Sequence, residues 1–417
     1  MSWLRTGVWF WLMVIGHATA VFSEQERKLS QEDRIDELEA RVSALSAEVE
    51  AAKAMATQER PSAFNPSITV VGDIVGQYGF NMKDKAHEHG HHHDHDDHHD
   101  SHDSGFVNGV KINEIEFEFG GAVDPYADAL VAIAFAPKSF HDVHIHVEEA
   151  YARLKEWPVI GFAPLGMIFK AGIFKSAIGR VNRLHRHNLP QMDYPLATKS
   201  FLGGEGYSAK GLSLSAVFNP WEKTAITVFL EGAFNSPLPM QAEGAERVPN
   251  GLAHLWLHQE LTPEHFLDVG VSGLLGRKGE ENSGTFGLLG GDVHYSYLPT
   301  GYGQDPMFLF GSEVYSANRH KKENAWSTGF FTWAQVKLFG SSFFGLRYDL
   351  APKFGVVKDE HALGAYLSYY TTEFLRFRLG YEHVMPKLEA FDGDHRLMLS
   401  IMFLLGSHPA EPYFANR

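Results

Sequence analysis

The chain has 417 residues, with 51 acidic and 36 basic side chains, a formal net charge of −15 and no cysteine. The negative excess argues against nucleic acid as a partner, and the lack of cysteine removes disulfides from stability and chemistry alike. Mean hydropathy is −0.20, too polar for a bundle of membrane helices but compatible with a barrel whose strands are half polar.

At the N-terminus Arg5, the apolar run 8–16 and Ala18-Thr19-Ala20 read as an export signal over residues 1–20, followed by a short segment 21–30. Over 31–56, Ile35, Leu38, Val42, Leu45, Val49 and Ala52 follow the seam of a short coiled coil, with charged residues on the other faces. A single amphipathic helix is the alternative. Pro61 and Pro66 end the helical pattern, so 57–66 is a linker.

From 67 to 405 the pattern changes to period two. Glu114-Ile115-Glu116-Phe117-Glu118-Phe119 is the clearest case: three carboxylates point one way and three apolar side chains the other. Sixteen such segments are expected, near 67–80, 110–122, 129–137, 143–155, 166–175, 208–218, 224–234, 251–260, 265–276, 285–297, 306–316, 327–339, 342–349, 361–371, 373–384 and 394–405. After residue 60 no helical pattern is left to cover their apolar faces. A sheet closed on itself, lipid outside and water inside, resolves this, so the predicted fold is an all-β transmembrane antiparallel barrel. Short links follow mostly the even segments and long polar links mostly the odd ones. That rhythm is the one of bacterial outer-membrane barrels, and it puts both termini, including a tail 406–417, in the periplasm. The link 157–165 is long for its side and 138–142 is short for its side, which leaves counts of fourteen or eighteen open. A barrel of sixteen strands is wide enough for a water-filled channel, so passive transport of small hydrophilic solutes and ions is the default expectation.

The longest link, 81–109, should lie outside the cell. It carries nine of the 24 histidines: His87, His89, His91, His92, His93, His95, His98, His99 and His102, interleaved with Asp94, Asp96 and Asp97 among other acids. Neutral imidazole suits Zn²⁺, Cu²⁺ or Ni²⁺, and adjacent carboxylates complete the shell. A tract of this kind offers many ligand sets of moderate affinity, weakening below about pH 6 as the rings protonate. No cofactor is required for a channel. Zinc captured here would be concentrated at the mouth of the channel.

Alternation assigns faces. Glu114, Glu116 and Glu118, His144, His146 and Glu148, and Asp292 and His294 should point inward, as should Lys170, Lys337, Arg347, Arg376, Arg378 and Arg396. The link 176–207 holds Arg180, Arg183, His185, Arg186, His187 and Lys199 against only Asp193 and Glu205. It is the candidate to fold inward and narrow the channel. A basic narrowing favours anions, whereas an acidic arc and a histidine mouth favour cations.

The segment Val147-Glu148-Glu149-Ala150-Tyr151, followed by Phe169-Lys170-Ala171-Gly172-Ile173-Phe174-Lys175, resembles the phosphate-selective porin O and P family. So do Gly179-Arg180-Val181-Asn182-Arg183-Leu184-His185, Asp193-Tyr194-Pro195-Leu196 and Phe201-Leu202-Gly203-Gly204-Glu205-Gly206. That family includes members described as zinc-regulated outer-membrane proteins. The resemblance implies a signal peptide, a short coiled coil and a homotrimeric sixteen-stranded barrel in outer-membrane lipid. Two alternatives stand beside a zinc-capturing porin: an anion-selective, phosphate-type porin, and a metal-sequestering surface protein that uses its barrel as an anchor. The sequence has no phosphate-binding glycine loop or nucleophile elbow, so an enzyme is not expected.

Overall fold

The structure is a computed structural model that describes residues 66–80, 108–139, 142–157, 163–241, 244–279, 284–299, 307–318, 326–352, 359–385 and 393–406. The export signal, the coiled coil and the histidine tract lie outside these residues.

Sixteen antiparallel strands form one closed barrel. In chain order they are β1 (Ser67–Phe80), β2 (Gly109–Ala122), β3 (Ala127–Ser139), β4 (Asp142–Leu154), β5 (Ile168–Lys175), β6 (Ser208–Trp221), β7 (Thr224–Ala233) and β8 (Asn250–Thr262), followed by β9 (His265–Arg277), β10 (Thr285–Tyr297), β11 (Phe308–Asn318), β12 (Trp326–Lys337), β13 (Ser342–Pro352), β14 (Asp359–Thr372), β15 (Leu375–Met385) and β16 (Asp394–Gly406). Each strand pairs with its sequence neighbours, and β1 closes on β16 from Thr69 opposite Gly406 to Phe80 opposite His395. Closure removes the open sheet edges, so wall N–H and C=O groups pair between strands without water. Alternation predicts all sixteen strands, with boundaries a few residues off. The exceptions to the link rhythm are real: only residues 140–141 separate β3 from β4, whereas 155–167 join β4 to β5.

Local chemistry shapes the short turns. Between β2 and β3 the Asp124 carboxylate accepts the N–H groups of Tyr126 and Ala127, both at 2.8 Å, an Asx turn that reverses the chain.

The outer surface is an apolar band. Val143, Ile145 and Val147 of β4, Val271 and Leu275 of β9, and Leu397, Leu399 and Ile401 of β16 are all exposed. Exposed aromatics sit at both rims: Trp221, Phe339 and Phe374 at the short-turn end, Tyr78, Phe80 and Trp326 at the other. Two mid-strand β-bulges break the inward–outward alternation. Asn113 is extra in β2, opposite Asp73–Ile74, and Glu148 is extra in β4, opposite Ala132–Ile133. Each lets consecutive polar residues share the interior face.

Candidate functional site: a loop folded across the interior

The link between β5 and β6, residues 176–207, includes one short helix, α1 (Leu196–Leu202). It touches the wall around nearly the whole circumference. Ala177 reaches Glu231 of β7 and Gly179 reaches Ser272 of β9. His185 meets Glu116 of β2 and Glu149 of β4, while the chain near His187 and Gln191 meets β15 and Leu196 meets β13. A segment rooted between β5 and β6 can reach β13 and β15 only through the lumen. Loop residues Ile178, Val181, Leu184, Leu189, Tyr194, Ala197 and Phe201 form an apolar core with wall residues such as Phe286, Leu288, Leu309, Phe331, Trp333 and Phe343. The inner face of β10 to β13 is therefore apolar where the loop covers it.

An irregular backbone away from bulk water must find partners for its N–H and C=O groups. The wall supplies them by charge. In the entry half, carboxylates accept N–H groups. Glu313 takes those of Arg180 (3.1 Å) and Val181 (2.8 Å) and also accepts the hydroxyl of Tyr315. Glu231 takes the N–H of Ala177 at 3.2 Å, and farther along Asp349 takes that of Leu196 at 3.2 Å. In the exit half, arginines donate to carbonyls: Arg376 to His187, Arg378 to Leu189 (3.3 Å) and Gln191 (2.6 Å), and Arg347 to Asp193 (2.8 Å). Replacing Arg378 with Met should destabilise the protein by about 1–3 kcal/mol for each carbonyl left without a donor. Heat-modifiable electrophoretic mobility measures that loss.

Gly179 makes the sharp entry turn with φ of 64°, in the left-handed region. A Cβ there would lie 2.2 Å from a Glu313 oxygen. Gly179→Val should therefore displace the Glu313 clamp, and its channel should match that of a Glu313 variant in single-channel recordings.

The sequence-predicted residues fall into four groups. On the acidic side, Glu116 is fully buried with one oxygen 3.1 Å from His185 Nδ1 and the other 3.1 Å from His187 Nδ1. Glu114 lies 4.0 Å from Arg186, and Glu118 is half-buried. His146 sits between Glu148 (2.8 Å) and Glu205 (3.0 Å), its ring stacked on His144. Glu148 also meets Lys175 at 2.8 Å. On the far wall, Asp292 and His294 are buried, and His294 is 3.3 Å from Glu313. Among the bases, Lys170 lies over the Tyr151 ring at 4.3 Å and Lys337 is buried at the end of β12. Arg347 pairs with Asp349 and Glu382, and Arg396 lies 3.7 Å from Glu382. In the loop, Arg180 pairs with Asp268, Arg183 lies over Trp256, Arg186 reaches Asp193 and Glu205 at 3.6 Å, and Lys199 pairs with Asp193.

Strict alternation misses Glu149, because the β4 bulge turns it inward beside Glu148. The signal is in the sequence: apolar positions run 143, 145, 147 and then 150, 152, 154, a parity flip across two adjacent glutamates. Glu231 and Glu313 are single charges on otherwise apolar or small inner faces, and the loop N–H groups they accept explain them; Asp349 shares its face with Arg347 and serves both that arginine and the loop.

Loop groups carry shifted acidities. Burial pushes the His185 imidazole down, but Glu116 and Glu149 outweigh it and hold it well above the usual range. Burial pushes the Tyr194 phenol up to about 12. Burial would raise the Asp193 carboxyl, but Lys199 and Arg186 outweigh it and hold it well below the usual aspartate range. Because the folded value is the lower one, the Asp193 contribution to loop docking is complete above the ordinary value of about 4 and is lost as pH falls through the depressed value. The conductance difference between Asp193→Asn and parent protein should therefore stay constant from neutral pH to about 4 and shrink only in stronger acid, which paired bilayer pH series read directly.

The barrel and its infolded loop define a class, the sixteen-stranded channel-type β-barrel. Among solved structures, the anion-selective porin of Comamonas acidovorans superposes with a TM-score of 0.51 at 9% identity, covering 82% of this chain and 99% of that one. The outer-membrane channel DcaP of Acinetobacter baumannii gives a TM-score of 0.49 at 11% identity, over 82% and 96% of the two chains. The first likeness is one of fold. An uncharacterized protein of Aquifex aeolicus (strain VF5) is 26% identical over 407 residues, covering 84% of this chain and 80% of its own length. No family model matches the chain.

Proposed function

We propose that the protein is an outer-membrane porin through which small hydrophilic solutes and ions diffuse, of the phosphate-selective porin O and P type in layout, with an external histidine tract that captures Zn²⁺ or a similar divalent metal. The observation that carries the channel reading is a closed barrel, apolar outside and charged inside, crossed by the loop 176–207. The exposed apolar band and its aromatic rims suit acyl chains and headgroups. In this reading the export signal is removed, the coiled coil 31–56 helps hold a homotrimer, and both termini are periplasmic.

The wall arginines do not favour the anion-selective alternative, because Arg347, Arg376 and Arg378 end on loop carbonyls and Arg347 also on carboxylates. The channel should therefore prefer cations. In planar bilayers, stepwise ohmic openings are expected, with a reversal potential of cation-selective sign in a KCl gradient. An anion-selective sign would make the phosphate-type channel the better reading. Absence of openings would favour the anchored metal-sequestering protein.

A further inference from the structure

We propose that Glu116, His185 and His187 form an internal transition-metal site that fastens the inward loop to the β2 wall, separate from the histidine tract. Its ligand would be Zn²⁺ or a cation of similar preference. The proposal extends the zinc-capturing reading but does not depend on the tract.

Glu116 projects from β2 with no exposed surface, and its two oxygens lie 3.1 Å from the Nδ1 atoms of His185 and His187. One ligand atom from each of the three residues falls within 4.8 Å of the others. Zinc–nitrogen and zinc–oxygen bonds of about 2.0–2.2 Å in a tetrahedron put neighbouring ligand atoms roughly 3.4 Å apart. The two 3.1 Å contacts run to different oxygens of Glu116, so one oxygen has one imidazole at this spacing already, and the remaining edges, all within 4.8 Å, close with small carboxylate and ring rotations. Two imidazoles and a carboxylate are a borderline-soft donor set, suited to zinc, with a fourth position for water.

The second observation is the other side of the His185 ring. Its Nε2 faces Glu149 at 3.1 Å. With Nδ1 on the metal, Nε2–H would donate to Glu149, which is the carboxylate–histidine–metal arrangement that fixes tautomer and ring orientation. This is a use for the glutamate that the β4 bulge turns inward. In the metal-free protein, protons on the imidazoles bridge the same pairs, and the dication would replace them.

The neighbouring group His146, Glu148 and Glu205 is also close enough to hold an ion. It already contains a cation, because Lys175 Nζ is 2.8 Å from Glu148 and buried with it. Glu116 has no such lysine or arginine among its ion pairs in the described residues, so it is the one assigned.

The test uses full-length protein in which the nine tract histidines are replaced by serine, titrated with Zn²⁺ and read by equilibrium dialysis. One zinc per protomer should remain bound in the micromolar range. Glu149→Gln should weaken it by about tenfold or more, the effect of losing an outer partner, and His187→Ala should abolish it. Co²⁺ substituted for zinc should give a tetrahedral visible spectrum that His187→Ala removes. If His187→Ala fails to fold, as judged by heat-modifiable mobility, the isosteric Glu149→Gln measurement decides alone. No zinc retained by the tract-free protein overturns the internal site. Zinc retained with unchanged affinity in Glu149→Gln and His187→Ala overturns it too. Failure of the tract itself would appear differently, as equal zinc content in wild-type and tract-free protein.

Discussion

In Glu313→Ala protein, single-channel conductance should rise several-fold, because the loop crossing the lumen loses its hold on the β11 wall. Glu313 accepts two backbone N–H groups of the loop and the Tyr315 hydroxyl in a fully buried setting. Hydrogen bonds to a charged group contribute about 1.5–3 kcal/mol each, so losing both N–H contacts shifts loop docking by roughly two orders of magnitude or more in population. The barrel wall is untouched, since the strand ladder does not use this side chain. The variant should therefore still close its barrel, unfold at a somewhat lower temperature on heat-modifiable gels, and open to a larger conducting state. Glu313→Asp, which retains the charge but not the reach, should lie between the two. Conductance unchanged in Glu313→Ala would mean that the loop does not control the pore.

Replacing the nine tract histidines by serine should remove most zinc binding while leaving barrel assembly intact. The tract holds nine imidazoles within residues 87–102, interleaved with carboxylates, between the end of β1 at Phe80 and the start of β2 at Gly109. Neutral imidazoles are the donors, so zinc binding by wild-type protein should also fall below about pH 6, where free histidine becomes charged. Dialysis at pH 7.5 and 5.5 measures both effects. Equal zinc content in the two proteins at neutral pH would sink the tract assignment.

Much of the wall was legible along the chain, strand by strand. Glu114, Glu116 and Glu118 alternate with Ile115, Phe117 and Phe119, and side-chain direction in a strand follows from parity alone. The loop 176–207 stood out as long and basic between two confident strands. Its path did not follow from that. The partners of its backbone are Glu231, Glu313, Asp349, Arg376 and Arg378, which lie 54 to 189 positions away. Glu149 is absent from the inward residues that alternation gives for a different reason: one extra residue in β4 reverses parity, and a strict period-two reading has no place for it.

What the sequence determined by itself is local and periodic: which segments are strands, which side of each is apolar, and how many must close to leave no edge. These follow from neighbours one and two residues apart, and they specify a closed antiparallel barrel of about sixteen strands, with fourteen and eighteen left open by the two irregular links. Only the tertiary structure decided what the interior charges do. Closing the barrel brings β2, β4, β11, β13 and β15 around one loop, so that wall carboxylates meet its N–H groups and wall arginines meet its carbonyls. Those pairings depend on which residues the closed ring brings face to face, and no periodicity along the chain encodes that.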